Sequence, residues 1–234
     1  MLIHTLLFHS CVYLWTFLVI LFGVPFSFIS PDYLHNCAII WAKGCLRLAG
    51  VRIKVEGSEH LQNRSAVYIA NHQSQFDILA MYACLPIQFR WMAKRELFDI
   101  PLFGMAMRRC DYIPIDRSNR RKAMQSMITA AQRIKDGTSV IVFPEGTRSP
   151  DGKLLPFKKG GFLIALKAQA PIVPIAIDGS FSLLPRGSFL VRPGEIKVTI
   201  LPAVETCNLT NKELDTLINE VRVSIATLTE EKSG

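Results

Sequence analysis

From residue 51 onward the chain alternates short β-rich runs with helical stretches, and this alternation limits the fold more than any other feature. Candidate strands are 51–55, 66–70, 89–93, 112–115, 139–143, 172–177 and 196–201. Candidate helices are 75–83, 102–108, 120–135, 161–169 and 211–228. Strands and helices in alternation predict an α/β fold, a mixed central β-sheet flanked by helices. Binding groups in such sheets gather where strands end and loops turn into helices. At 234 residues there is length for one sizeable domain plus an attachment segment. The expected division is residues 1–49 as N-terminal membrane-associated helices and 50–234 as the α/β domain.

The first fifty residues differ in composition from the rest. Residues 6–22 carry only His9, Ser10 and Thr16 as polar interruptions, and Pro25 is expected to end that helix. A helix over 2–23 has about the ~20 apolar residues needed to cross a bilayer core. It lacks the basic n-region of a signal peptide, and its apolar run is longer than the usual h-region. A second helix is predicted behind it, with Ser30 as N-cap, Pro31 at the first helical position and Gly50 as the stop. Asp32, Asn36, Lys43 and Arg47 form one stripe, opposite Leu34, Cys37, Trp41, Cys45 and Leu48. That pattern suits an amphipathic helix lying in a membrane interface, or one packed on the protein's own core. Two arrangements stay open: a spanning first helix, or a two-helix hairpin dipping into one leaflet. In the first, Lys43, Arg47, Arg52 and Lys54 stay on the cytoplasmic side. In both, the rest of the chain is expected to work against the cytoplasmic face, that of the inner membrane in a bacterium.

Formal charge is +8 and the pI is near 9.3, so an anionic partner is expected. Nucleic acid is not expected, because zinc spacings, helix-turn-helix signatures and basic tracts with interleaved aromatics are all missing from the sequence. No metal-ligand cluster, nicotinamide or ATP motif stands out either, and "KKGGF" at 158–162 has no P-loop pattern. The six cysteines are scattered without a CxxC, which fits reduced thiols in a cytosol-facing protein.

The candidate chemistry begins at "NHQSQFD", residues 71–77, where an apolar run gives way to a helix start. His72 and Asp77 could be a base and its orienting carboxylate, while Asn71 or Ser74 could simply cap the helix. The spacing alone is weak, and the strand ends downstream strengthen it. "VIVFPEGTRS", residues 140–149, empties a strand into Glu145, Gly146, Thr147 and Arg148, which is good phosphate-binding chemistry. "YIPIDRS" ends in Arg117, and "WMAKRELFDIPLFG" offers Lys94 and Arg95. Three strand ends that each offer a cation fit an anionic pocket.

In this order the motifs "NHQSQFD", "KRELFDIPLFG", "IPIDR", "FPEGTRS" and "IVPIAI" resemble the lysophospholipid acyltransferase family over about residues 50–205. The resemblance implies transfer of a fatty acyl group to the sn-2 hydroxyl of lysophosphatidate, giving phosphatidate in phospholipid biosynthesis. The donor would be an acyl-CoA or acyl-carrier-protein thioester, with no cofactor and no metal. His72 would be the general base and Asp77 its orienter. Lys94, Arg117, Glu145, Gly146, Thr147 and Arg148 would bind substrate, Arg148 foremost on the phosphate. Glu145 would hydrogen-bond the glycerol or brace Arg148. Backbone N–H groups near 72–74 are candidate oxyanion donors. Ser74 and Cys84 lack a nucleophile-elbow context, so direct transfer is expected. Phe76, Met81, Phe98, Leu102 and Met105 are candidate acyl-groove residues. Other acceptors remain open: a lyso-ornithine lipid, lysophosphatidylethanolamine or glycerol-3-phosphate. So does a non-catalytic lipid-binding role.

Overall fold

The structure, a computed structural model, describes residues 1–116 and 119–229. Two N-terminal helices, α1 (Leu2–Phe26) and α2 (Pro31–Ala49), lead into strand β1 (Val51–Glu56). There follow β2 (Val67–Ala70), α3 (Phe76–Cys84), β3 (Phe89–Lys94), α4 (Phe103–Arg109), β4 (Ile113–Ile115) and α5 (Arg120–Lys135). The chain continues through β5 (Ser139–Val142), α6 (Gly160–Ala168), β6 (Ile172–Asp178), α7 (Ser180–Leu183), β7 (Gly194–Ile200) and α8 (Leu214–Thr229).

All seven strands join one sheet in the order β1-β7-β6-β2-β5-β3-β4. β6, β2, β5, β3 and β4 are mutually parallel, so their C-terminal ends share one edge. β7 runs antiparallel to β6 and parallel to β1, which makes the sheet mixed. Alternation within the strands serves both faces. Tyr68 and Ala70 pack toward α2, α3 and α4, while Val67 and Ile69 pack toward α5, α6 and α8. Pro174 sits inside β6, yet its missing N–H costs little. Its carbonyl accepts Leu201 N at 2.9 Å on the β7 side, just beyond the last β6–β7 pair, and the N–H would point that same way.

α2 begins as expected: the Ser30 hydroxyl accepts Asp32 N at 3.2 Å, and Gly50 ends the helix in the left-handed region at φ 68°. Its apolar face does not lie free for an interface. Leu34, Ala42, Cys45, Leu46 and Ala49 are buried in the core shared with α3 and the sheet. The first half of the polar stripe is tied down as well, Asp32 to Arg90 and Asn36 to Gln88, while Lys43 and Arg47 are exposed. α2 is therefore a packed helix of the domain. α1 differs from expectation at its end, because Pro25 sits in the last turn and the helix runs on to Phe26. Proline's missing donor breaks a helix, but the ring needs only the preceding turn clear of a clash, and the helix stops one residue later.

α1 stays largely uncovered. Its most apolar 18-residue window has a mean hydropathy of 2.0 and is 11% buried. Where it meets α2, two indoles are interlocked: Trp15 Nε1 donates to Trp41 O at 3.1 Å, and Trp41 Nε1 donates to the Thr16 hydroxyl at 2.9 Å.

Candidate active site

The shared edge of the parallel strands gathers the sequence motifs. β2 delivers Asn71 and His72, β5 delivers 143–149, and β3 delivers Lys94. Lys94 is the last residue of β3, pairs with Ile115 of β4 and is exposed. Asn71 fixes the base of the site. Its side-chain amide donates to Ile177 O at 2.8 Å and accepts Ile177 N at 2.7 Å, clamping the β2 end to β6.

His72 Nδ1 lies 2.8 Å from Asp77 Oδ2. Asp77 is fully buried in the first turn of α3, where Oδ2 also accepts the N–H groups of Gln73 at 2.6 Å and Ser74 at 2.8 Å. Asn71 does not cap the helix, the Ser74 hydroxyl accepts Phe76 N at 3.1 Å, and one Asp77 carboxylate oxygen both closes the turn before α3 and holds the imidazole. With Nδ1 donating to Asp77, the basic nitrogen is Nε2. The His72 side chain is 14% exposed. Phe143 stacks on its ring at 4.0 Å between centroids and 8° between planes, and Trp91 stacks behind Phe143 at 5.3 Å.

Two expectations need correction. The N–H groups of residues 72–74 are not oxyanion donors, since His72 N donates to Glu145 Oε1 at 2.6 Å and the other two go to Asp77. Glu145 neither braces the Arg148 side chain nor faces outward to a substrate. It is 2% exposed, and its Oε2 accepts Leu155 N at 3.0 Å. Its role is to position the His72 backbone. Burial pushes its carboxyl up to about 7, opposed by those two N–H bonds.

The loop around Arg148 is built for close approach. Gly146 takes φ 73°, a left-handed conformation that favours glycine, and its N–H closes a tight turn onto Phe143 O at 3.1 Å. Ser149 N donates to His72 O at 2.8 Å, so Arg148 is one residue from a backbone bond to the base. Thr147 is exposed and Arg148 half-buried beside it. Arg95 is paired with Asp116 at 3.4 Å, and Arg117 lies outside the described residues. Of the groove candidates, Phe76, Met81 and Phe98 are buried core, whereas Leu102 and Met105 are exposed. Cys84 is half-buried with its thiol pushed up to about 12 by burial, the wrong direction for a nucleophile. The Ser74 hydroxyl is spent on Leu184 O at 2.8 Å. Among the described residues, no three His, Cys, Asp or Glu side chains gather to hold a metal ion. Sequence reasoning did not see the Phe143 stack or the Asn71 clamp, although both residues directly flank motif positions.

A buried carboxylate holding an imidazole, beside a glycine turn that carries an arginine, is an arrangement chemically able to activate a hydroxyl next to an anion. A family model described as Acyltransferase matches residues 52–178, which includes every residue of the dyad and the Arg148 loop. The chain belongs to this acyltransferase family. It is 40% identical to a 1-acyl-sn-glycerol-3-phosphate acyltransferase of Limnanthes douglasii over 184 residues, 78% of this chain and 63% of that protein. It is 37% identical to the human 1-acyl-sn-glycerol-3-phosphate acyltransferase alpha over 188 residues, 80% of this chain and 66% of that one. The chain thus spans somewhat under two thirds of these relatives' length. The crystal structure of the 1-acyl-sn-glycerophosphate acyltransferase PlsC from Thermotoga maritima superposes with a TM-score of 0.83 at 28% identity, covering 99% of this chain and 98% of that one.

Proposed function

We propose that this chain transfers a fatty acyl group from an acyl-CoA or acyl-carrier-protein thioester to the sn-2 hydroxyl of lysophosphatidate, forming phosphatidate. The observation that carries the reading is the His72–Asp77 dyad joined by backbone bonds to the Arg148 loop. His72 Nε2 removes the proton as the hydroxyl oxygen bonds to the thioester carbonyl carbon. The tetrahedral adduct collapses, the C–S bond breaks, and the imidazolium returns its proton to the leaving thiolate. Asp77 holds the ring and stabilises its charge. Arg148 and Lys94 bind the acceptor phosphate, Thr147 lies on the same loop, and no cofactor enters.

Within residues 1–49, α1 is the part that attaches to the membrane at the cytoplasmic face and α2 packs onto the body of the domain, while 50–234 carry the chemistry. The hairpin arrangement is favoured over a spanning α1, because both ends of that helix touch the domain. Thr5 bonds to Val191, and Gly23 approaches Leu34 and Cys37.

The decisive experiment assays purified protein, with CoA and carrier-protein donors, against lysophosphatidate, lysophosphatidylethanolamine, a lyso-ornithine lipid and glycerol-3-phosphate. Lysophosphatidate should be acylated best, and His72→Ala should lower its turnover by 10²-fold or more, about the contribution of a general base. Equal or better use of another acceptor overturns the acceptor assignment. Wild-type rates in His72→Ala overturn the base.

A further inference from the structure

The segment between α7 and β7 ties the catalytic edge to the start of the chain. On its inner side, Leu184 O accepts the Ser74 hydroxyl at 2.8 Å, two residues from His72. Arg186 Nη1 donates to the Arg148 carbonyl at 3.1 Å, which brings a second guanidinium to the strand end that carries Arg148. That bond uses one of the five N–H donors a guanidinium has. Arg186 is exposed, and among the described residues no carboxylate pairs with it.

On its outer side, α1 holds the same segment. Thr5, fully buried, accepts Val191 N at 3.1 Å and donates to Val191 O at 3.4 Å. The His9 ring stacks on Phe189 at 4.5 Å, and its Nε2 lies 3.0 Å from Phe189 O. Phe8 is buried and meets Phe76 edge-on at 6.1 Å, one residue before Asp77. Attachment to a bilayer requires none of these polar contacts. A phosphate monoester offers three strong acceptor oxygens, so a guanidinium at this position can donate to it alongside Arg148 and Lys94.

We propose that Arg186 is a further cation for the acceptor phosphate, added to Arg148 and Lys94 and held beside the Arg148 loop by the first three turns of α1. The inference rests on the acceptor reading above and extends it to a segment outside the recognised motifs. Arg186 binds substrate directly, whereas Thr5 and His9 are positioning residues.

The test compares two acceptors with the same acyl chain, lysophosphatidate and 1-monoacylglycerol, using the full chain in mixed micelles. Arg186→Gln should raise the KM for lysophosphatidate about tenfold, the usual cost of one charge-assisted hydrogen bond. It should leave kcat and the slow transfer to monoacylglycerol unchanged. Thr5→Val should move the lysophosphatidate KM the same way and Thr5→Ser should restore it, with His9→Ala as a second route if Thr5→Val misfolds. An unchanged lysophosphatidate KM in Arg186→Gln, or equal losses on both acceptors, overturns the phosphate role. An unchanged KM in both Thr5→Val and His9→Ala overturns the role of α1. Failure of the acceptor reading itself looks different, because the wild type would then show no preference for lysophosphatidate.

Discussion

Asp77 receives three N–H donors on Oδ2, while its buried Oδ1 has no hydrogen-bond partner among the described residues. Concentrating the donors on one oxygen makes the helix cap and the imidazole orientation a single interaction, so the two cannot be tuned apart. Glu145 supports the same residue from below, through the His72 N–H. Burial raises its carboxyl from an ordinary 4.5 to about 7, so ionisation is the costly state. Its contribution to stability is complete below pH 4.5 and is lost as pH climbs through about 7. Glu145→Gln removes that titration. The stability of the wild type relative to this variant should therefore fall between pH 5 and pH 8, by up to about 3 kcal/mol. Thermal unfolding of both proteins at the two pH values measures it, and a gap that does not move with pH would show an ordinary carboxyl. Activity should drop in Glu145→Gln at every pH, since an amide can accept from only one of the two backbone N–H groups and presents its own N–H to the other.

At the scale of elements, the two N-terminal helices are joined by a close approach at Gly44. A β-carbon there would come within 2.5 Å of Trp15 Nε1 and 2.8 Å of Trp15 Cε2, against the indole that bonds to Trp41 O. Gly44→Val should therefore displace Trp15 and loosen α1 from α2. Red-shifted tryptophan emission and faster proteolysis within α1 should report it. Gly160→Ala, where the nearest atom is Met127 Sδ at 3.8 Å, should change neither. All seven strands were legible in the sequence, because β-branched runs such as "SVIV" bounded by turn residues admit few other structures. The dyad and the Arg148 loop were legible too, as strand-end motifs. The inward packing of α2 was not, because amphipathic periodicity shows that one face is apolar and not what covers it. Glu145 was misplaced for a related reason. A carboxylate three residues before an arginine suggests a pair, and only the fold shows both Glu145 oxygens taken by the backbone N–H groups of His72 and Leu155. Arg186 gave no signal, since its partner is a backbone carbonyl thirty-eight positions away.

The whole molecule combines a formal charge of +8 with an apolar helix left mostly uncovered. Such a protein should bind anionic vesicles through both terms, with only the electrostatic part weakened by salt. With Thr5 bonded to Val191, the hairpin arrangement proposed above puts the N-terminus and the α/β domain on one side of a bilayer. With the domain facing outward on reconstituted vesicles, protease sites placed before Met1 and after Gly234 should both be cut from outside. Protection of the first site alone would establish a spanning α1. The contact between Thr5 and Val191 also sets an order of events during biosynthesis. These residues are 186 positions apart, which at about 5–20 residues per second is roughly 10–40 s of translation. α1 leaves the ribosome that far ahead of the loop it will hold, long enough to reach a lipid surface first. The nascent domain would then fold onto a helix already at the bilayer, and the segment that carries Arg186 would be pinned only after that surface had been reached.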